Sequence, residues 1–477
     1  MTDQISGENK QVKPLIFNGF GMNVVGHVSA GLWRHPDDKA HSYTDIEYWV
    51  ELAKTLDEGG FDALFLADAL GHLDVFKGSP DSSLKTAAQS PVNDPLLLVS
   101  AMAAATEHLG FGITVSTTYE QPYLLARKFT TLDHLTKGRI AWNVVTSVLE
   151  SAAKNLGLDR QMDHDKRYDR AQEFLDVTYR LWEGSWEEDA VLRDREKGIY
   201  TDPSKVHPIN FHGRYFKVPG AHLSQPSPQR TPLLFQAGTS PRGREFAARN
   251  AEVVFLGGTN TAAIRRSTDA IRKLAVEQGR TEDAIKFITA VTVITAPTDE
   301  EAQAKYEDYL SYTNVEAALA LFSAWTGVDW GQYPLDHPLE YIETNAGRSA
   351  LANLTSIDAD RRWTVEGIAE YIGLGGIHPK IVGSPQTVAD ELERIADEAG
   401  IDGFNIAYVV SPGTFTDFVE HVVPELRKRG RIRARSEQPL TLRERFQGVG
   451  NARLRDDHPG AVARDRTAWE PVTEAAQ

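Results

Sequence analysis

A repeated alternation constrains this chain more than anything else in it: short apolar runs of strand length, each leading into a stretch of helical periodicity. Eight such runs stand out, at Leu15–Phe20, Phe61–Ala67, Gly110–Val115, Arg139–Val144, Pro232–Gln236, Glu252–Leu256, Phe287–Ile294 and Gly403–Tyr408. Helical patterns separate them, including one from about Thr44 and others at Pro95–Glu107, Tyr123–Thr136, Arg242–Asn250, Ala262–Gln278, Gln386–Ala399 and Thr414–Lys428. Near-continuous apolar strands are buried on both faces, and parallel neighbours need long crossovers, so the pattern predicts an α/β fold of the (β/α)8 TIM-barrel type. The rival is an open doubly wound sheet, which calls for a Gly-x-Gly-x-x-Gly turn after the first strand. Gly19-Phe20-Gly21 and Gly373-Leu374-Gly375-Gly376 are turns in the wrong context for that role.

Two stretches exceed a simple crossover. Residues 148–227 contain a helix, Arg167–Glu183, then hairpin strands around His207–Val218; residues 298–379 contain several helices. In a barrel such insertions belong above the strand C-termini, where they roof an active site. Thr44-Asp45-Ile46-Glu47 has the form of a capping box for the first helix. The division expected is a flexible lead-in over 1–13, one barrel domain over 14–429 and an Arg-rich arm over 430–477, lying on the surface or on a neighbouring subunit.

Composition narrows the class of function. At 477 residues, 41% hydrophobic and 25% charged, the chain has enough apolar content for a large core. The balance of 51 Lys and Arg against 67 Asp and Glu, −16 overall, argues against a nucleic-acid partner. With no cysteine there are no disulfides, thiolate metal sites or thiol nucleophiles. His35 and His41 have no third ligand nearby in sequence, so no metal is expected. The polar start, Met1–Lys10, and the lack of a membrane-length apolar run point to a cytoplasmic protein.

Four motifs carry a resemblance: Phe65-Leu66-Ala67-Asp68; Thr131–Arg139 running into Trp142-Asn143-Val144-Val145-Thr146-Ser147; His164-Asp165-x-Arg167-Tyr168-Asp169; and Gln236-Ala237-Gly238-Thr239-Ser240-Pro241-Arg242-Gly243. In this order and spacing the chain resembles the luciferase-like flavin monooxygenases, and within them the nitrilotriacetate, dibenzothiophene-sulfone and long-chain alkane group. The resemblance runs from about Leu15 to Arg429. The loop around His27, Leu32–Pro36 and Trp182–Trp186 resemble the long-chain alkane branch most.

The resemblance implies reduced FMN as cofactor, supplied by a separate NAD(P)H:FMN reductase and used with O2 to oxidise a small, largely apolar substrate: an alkane, sulfide, sulfone or heterocycle. It also implies a homodimer or homotetramer. It assigns the FMN phosphate to Ser240, on a turn between strand and helix that offers backbone N–H groups and has Pro241 at the first helical position; a plain N-cap is the alternative. His164 and Tyr168, four residues apart on one helical face, match the family's cofactor-binding pair. Asp68, at a strand end, is assigned to the isoalloxazine edge, with a helix N-cap as its rival; Thr114 and Ser147 are further cofactor candidates. His27 is the catalytic candidate, a proton relay on a loop over the flavin ring, or else a structural loop histidine. Where alkane-type relatives place polar pocket residues, this chain has Val24, Leu73, Val148 and Leu321, implying a more apolar substrate pocket. Two alternatives stand beside this reading: a deazaflavin-dependent hydride-transfer enzyme on the same barrel, and a flavin-binding protein without catalysis.

Overall fold

The computed structural model describes residues 12–238, 240–258, 260–339, 363–436 and 438–469. Eight parallel strands close into a barrel: β1 (Ile16–Met22), β2 (Ala63–Ala67), β3 (Gly110–Ser116), β4 (Ile140–Val145), β5 (Leu233–Gln236), β6 (Val253–Leu256), β7 (Lys286–Thr295) and β8 (Gly403–Ala407). Each pairs with its sequence neighbour except at the seam, where β8 returns to β1 with Ile16 opposite Gly403 and Phe20 opposite Ala407. β7 is long enough for two jobs: its first part joins β6 and β8, and Thr292–Thr295 pair with a ninth strand, Lys380–Gly383.

Strand period two explains the packing. Phe20, Phe65, Phe235 and Ile288 fill the barrel interior, while Phe17, Leu64, Leu66, Ile113 and Trp142 from the alternate positions pack under the helices. Seven helices matter below: α1 (Ile46–Gly59), α2 (Pro122–Leu135), α3 (His164–Tyr179), α4 (Pro241–Asn250), α5 (Val315–Thr326), α6 (Val365–Ile372) and α7 (Leu442–Gln447). The expected helix at Pro95–Glu107 is two shorter pieces, a 3-10 turn over Pro95–Leu98 and a helix over Val99–Ala104. The insertion after β4 carries α3, which runs on as a π-turn over Arg180–Gly184, and two small hairpins. The insertion after β7 carries α5 and α6; its residues 340–362 lie outside the described residues.

Two expectations fail. The capping box at Thr44 does not form: a 3-10 turn over Ala40–Ser42 leads in, the Asp45 N–H bonds Ser42 O, and Asp45 becomes the N-cap without a side-chain bond. Boxes form instead at Thr298/Glu301 and Thr441/Glu444. The segment after Gly430 is no surface arm. Its α7 inserts Leu442 and Phe446 into the barrel interior from below, and Arg443 is fully buried against Glu252 at 2.7 Å. The arginines around the start of this segment are paired: Arg429 with Asp390, Glu393 and Glu425, and Arg431 with Glu393.

Candidate functional site

The C-terminal ends of β2, β4 and β5 converge with α3 on a cleft of about 280 Å3, lined by Asp68, Thr146, Ser147, Val148, Tyr168 and Gln236. The β5 turn rises directly into α4. Ser240 caps that helix, its Oγ accepting the Gly243 N–H at 3.1 Å, so the capping reading holds. The same Oγ lies 3.3 Å from His164 Nε2 and within hydrogen-bonding reach of the Tyr168 hydroxyl, which also reaches the Thr146 side chain. The His164 and Tyr168 rings are 5.2 Å apart, as their helical spacing predicts. Three candidates from two distant motifs thus meet at one point. Burial, opposed by the bonds to Ser240 and Thr146, raises the Tyr168 pKa, so the phenol stays protonated and able to donate. The hollow they enclose depends on glycine: a Cβ on Gly238 would come within 2.7 Å of the Tyr168 hydroxyl oxygen, and one on Gly243 within 2.9 Å.

Arg167, quoted in the motif but not expected at the site, holds the cleft's edge. It is buried, which lowers its pKa, and its Nη1 donates to Ser147 O at 2.6 Å. Ser147 sits at φ 54°, a left-handed conformation costly for a non-glycine residue, and its Oγ donates to Ser116 Oγ at 2.8 Å. Charge on the buried side of α3, one residue before Tyr168, is the signal that could have found Arg167.

Asp68 stands on the wall between this cleft and a second of about 410 Å3, which Thr114, Asn93 and Ser116 also line. No helix begins at Asp68, so the capping alternative is removed. Burial, with a smaller push from Asp94, raises its carboxyl pKa to about 7 against the opposing Ala69 N–H bond. Thr114 Oγ1 accepts from Asn143 Nδ2 at 2.9 Å. Asn143 Oδ1 and Gln236 Oε1, both buried, have no partner among the described residues.

His27 lies apart from these clefts, on the loop after β1. Its ring meets Phe20 edge-on at 4.7 Å and Tyr408 at 6.1 Å. The Gln89 side chain donates to its carbonyl at 3.1 Å. Burial, then the neighbouring His378, lowers its pKa to about 3, so the imidazole is neutral. Of the four pocket candidates, Leu73 and Leu321 share one apolar cluster with Ala30, Ala88, Ala317 and Ala324. Val24 is buried and bridges to Val92, whereas Val148 is half exposed on the 280 Å3 cleft.

Residues 25–403 match the luciferase-like monooxygenase model. The chain belongs to that family. It is 52% identical over 453 residues to a dimethyl-sulfide monooxygenase of Hyphomicrobium sulfonivorans, covering 95% of this chain and 94% of that one. It is 51% identical, again over 453 residues, to a long-chain alkane monooxygenase of Geobacillus thermodenitrificans, covering 95% and 98%. The alkane likeness seen in the sequence is therefore matched by a sulfide enzyme. The crystal structure of DmoA from Hyphomicrobium sulfonivorans superposes with a TM-score of 0.90, 52% identity and coverage of 98% and 99%. A riboflavin lyase crystallised with a modified FMN and riboflavin superposes at 0.88 with 40% identity, covering 95% and 100%. With monooxygenases among its relatives over nearly the whole length, the chain is an enzyme of this class.

Proposed function

We propose that this enzyme is the oxygenating component of a two-component system, using reduced FMN from a separate reductase and O2 to oxidise a small, largely apolar substrate, with a thioether or alkane the foremost candidates. The observation that carries the reading is the cradle at Ser240, Tyr168 and His164: three side chains that donate or accept, ringed by glycines whose Cβ atoms would fill it, at the start of α4. A phosphate suits such a helix start, because free backbone N–H groups and the helix dipole favour negative charge. The buried, partnerless Asn143 Oδ1 and Gln236 Oε1 are the kind of acceptors that a flavin's N–H and hydroxyl groups satisfy.

FMN, when bound in reduced form, supplies the reaction with O2; everything else falls to the chain. Ser240, Tyr168 and His164 hold the phosphate. Arg167 keeps the Ser147 turn in its strained shape so that the cleft stays open. Asp68, close to half protonated near neutrality, donates to or accepts from the polar edge of the ring. His27, neutral and buried among Phe20 and Tyr408, can donate a hydrogen bond from one ring nitrogen and accept at the other without placing a charge beside the reacting atoms. Leu73 and Leu321 keep water away and favour an apolar guest.

Mixing the protein with chemically reduced FMN and 18O2 across a panel of thioethers, alkanes, sulfones and heterocycles tests this. One labelled oxygen in a product is the expected result; oxygen use no faster than free-flavin autoxidation, with no product, overturns it. His27→Ala should lower product per reduced flavin with FMN affinity unchanged, and equal yields would make His27 structural.

A further inference from the structure

His378 lies 351 residues beyond His27, at the end of the insertion after β7, yet the two imidazoles meet the same ring. Phe20 belongs to the upper layer of the barrel interior, where it packs edge-on against Phe65 at 5.7 Å and Phe255 at 5.3 Å. His27 stands 4.7 Å from Phe20, and His378 stands 6.0 Å from Phe20 and 6.4 Å from Phe255. The approach is built in. After α6 the chain turns through Gly375 and Gly376 at φ 77° and 64°, a conformation that side chains rarely adopt. A Cβ on Gly375 would strike the Thr292 side chain, and one on Gly376 would press on Val28 at 3.2 Å. Ser29, two residues from His27, ties the loops together: its Oγ accepts the Gly375 N–H at 3.1 Å and donates to Tyr408 O at 3.2 Å.

Both histidines are buried, and the Nδ1 of each has no hydrogen-bond partner among the described residues. A partnerless buried nitrogen is unfavourable, and two facing one aromatic layer call for a ligand that satisfies them. Both side chains are neutral at neutral pH: burial, with a smaller contribution from His378 at His27 and from Lys380 at His378, lowers each to about 3. A neutral imidazole donates from one nitrogen and accepts at the other without offering charge. We infer that His378 is a substrate-positioning and specificity-determining residue which, with His27, forms a two-point hydrogen-bonding clamp above Phe20 for the single polar atom of an otherwise apolar substrate or its oxygenated product. The inference rests on the monooxygenase reading for the word substrate, but not for the clamp itself.

Two measurements separate those dependences. The first is a titration of the FMN-loaded, 13C-histidine-labelled protein with dimethyl sulfoxide, a small molecule with two methyl groups and one strong acceptor. The His27 and His378 ring signals, assigned with His27→Phe and His378→Phe, should shift together with one Kd, and His378→Phe should raise that Kd fivefold or more. A response confined to His27, or an unchanged Kd, overturns the clamp. The second is steady-state oxidation of a dialkyl sulfide. His378→Phe should raise KM at least fivefold with a smaller change in kcat, and His378→Gln should recover part of the loss because its amide can donate. Equal KM in wild type and His378→Phe overturns the assignment, and His378→Gln carries the comparison if the Phe variant does not fold. A wild type that binds the sulfoxide at both rings but oxidises nothing sinks the monooxygenase reading and leaves the clamp standing.

Discussion

At the base of the barrel Arg443 is as deeply buried as any side chain, yet all its N–H groups are used. It donates to both oxygens of Glu252 and to the carbonyls of Gln229, Thr231, Pro232 and Ala452. Burial alone would push the Glu252 carboxyl up, but Arg443 more than offsets it and the pKa is lowered. At the mouth, by contrast, Asn143, Gln236, His27 and His378 keep buried atoms without partners, Ser147 is strained, and Asp68 is pushed up to about 7. At the base the buried charge of Arg443 is fully matched; at the mouth four side chains keep buried polar atoms unmatched among the described residues. The difference teaches where this barrel keeps its stability and where it keeps its chemistry, as expected when catalytic groups gather at strand C-termini.

The comparison breaks first at Arg443. Arg443→Met leaves Glu252 buried without a counter-charge and four carbonyls without a donor, so stability should fall by about 3–5 kcal/mol, read from urea denaturation. A loss below about 1 kcal/mol would mean that the base is not the stabilising end. At the mouth the expectation reverses. Ser240→Ala combined with Tyr168→Phe should weaken FMN about 10- to 100-fold in a fluorescence titration, since hydrogen bonds to a charged group contribute about 1.5–3 kcal/mol. Loss of the Ser240 cap on α4 should by itself cost the apo-protein about 1 kcal/mol, so FMN affinity and not the melting temperature is the measurement that decides. An unchanged Kd would remove both residues from the cofactor site.

Asp68 sharpens the contrast through pH. Its carboxyl has a folded pKa of about 7 against an ordinary value of 3.8. The favourable contribution of the protonated form is complete below pH 3.8 and is lost as pH rises through 7. Asp68→Asn should therefore melt with the wild type at pH 4 and above it at pH 8, by about 2 °C for a chain of this size. A difference that stays constant from pH 4 to 8 would show that Asp68 is not desolvated.

How much could be read in advance follows the same division by range. The strands were legible because burial on both faces writes a local apolar pattern, and Ser240, His164 and Tyr168 because a strand–turn–helix and a four-residue spacing are local too. What failed was long-range. The Arg-rich tail looks solvated in sequence because the groups that satisfy Arg443 are backbone carbonyls some 200 residues away, which no side-chain pattern reveals. His378 carries no signal linking it to His27 until the glycine turn folds it over Phe20. Arg167 sat inside a recognised motif, but its partner is a carbonyl of the preceding loop. At Thr44 the right residues were present and a preceding turn shifted the helix start past them.

That last case yields the smallest and cleanest test. Thr441 and Thr44 both open a Thr-x-x-Glu pattern, yet only Thr441 forms the box: its Oγ accepts the Glu444 N–H at 3.2 Å while Glu444 Oε2 accepts the Thr441 N–H at 2.9 Å. The box also fixes where α7 enters the base. The Leu442 N–H donates to Gly138 O at 2.8 Å, and a Cβ on Gly138 would press into the Thr441 methyl. Thr441→Ala should thus cost about 1 kcal/mol, and Thr441→Ser, which keeps the acceptor, less than half of that. Thr44→Ala should fall within about 0.5 kcal/mol of wild type, as for a surface position without such a feature. If the two alanine variants lose the same stability in urea, capping is not what anchors α7, and the stability of the base must rest on Arg443 and its apolar neighbours Leu442 and Phe446 alone.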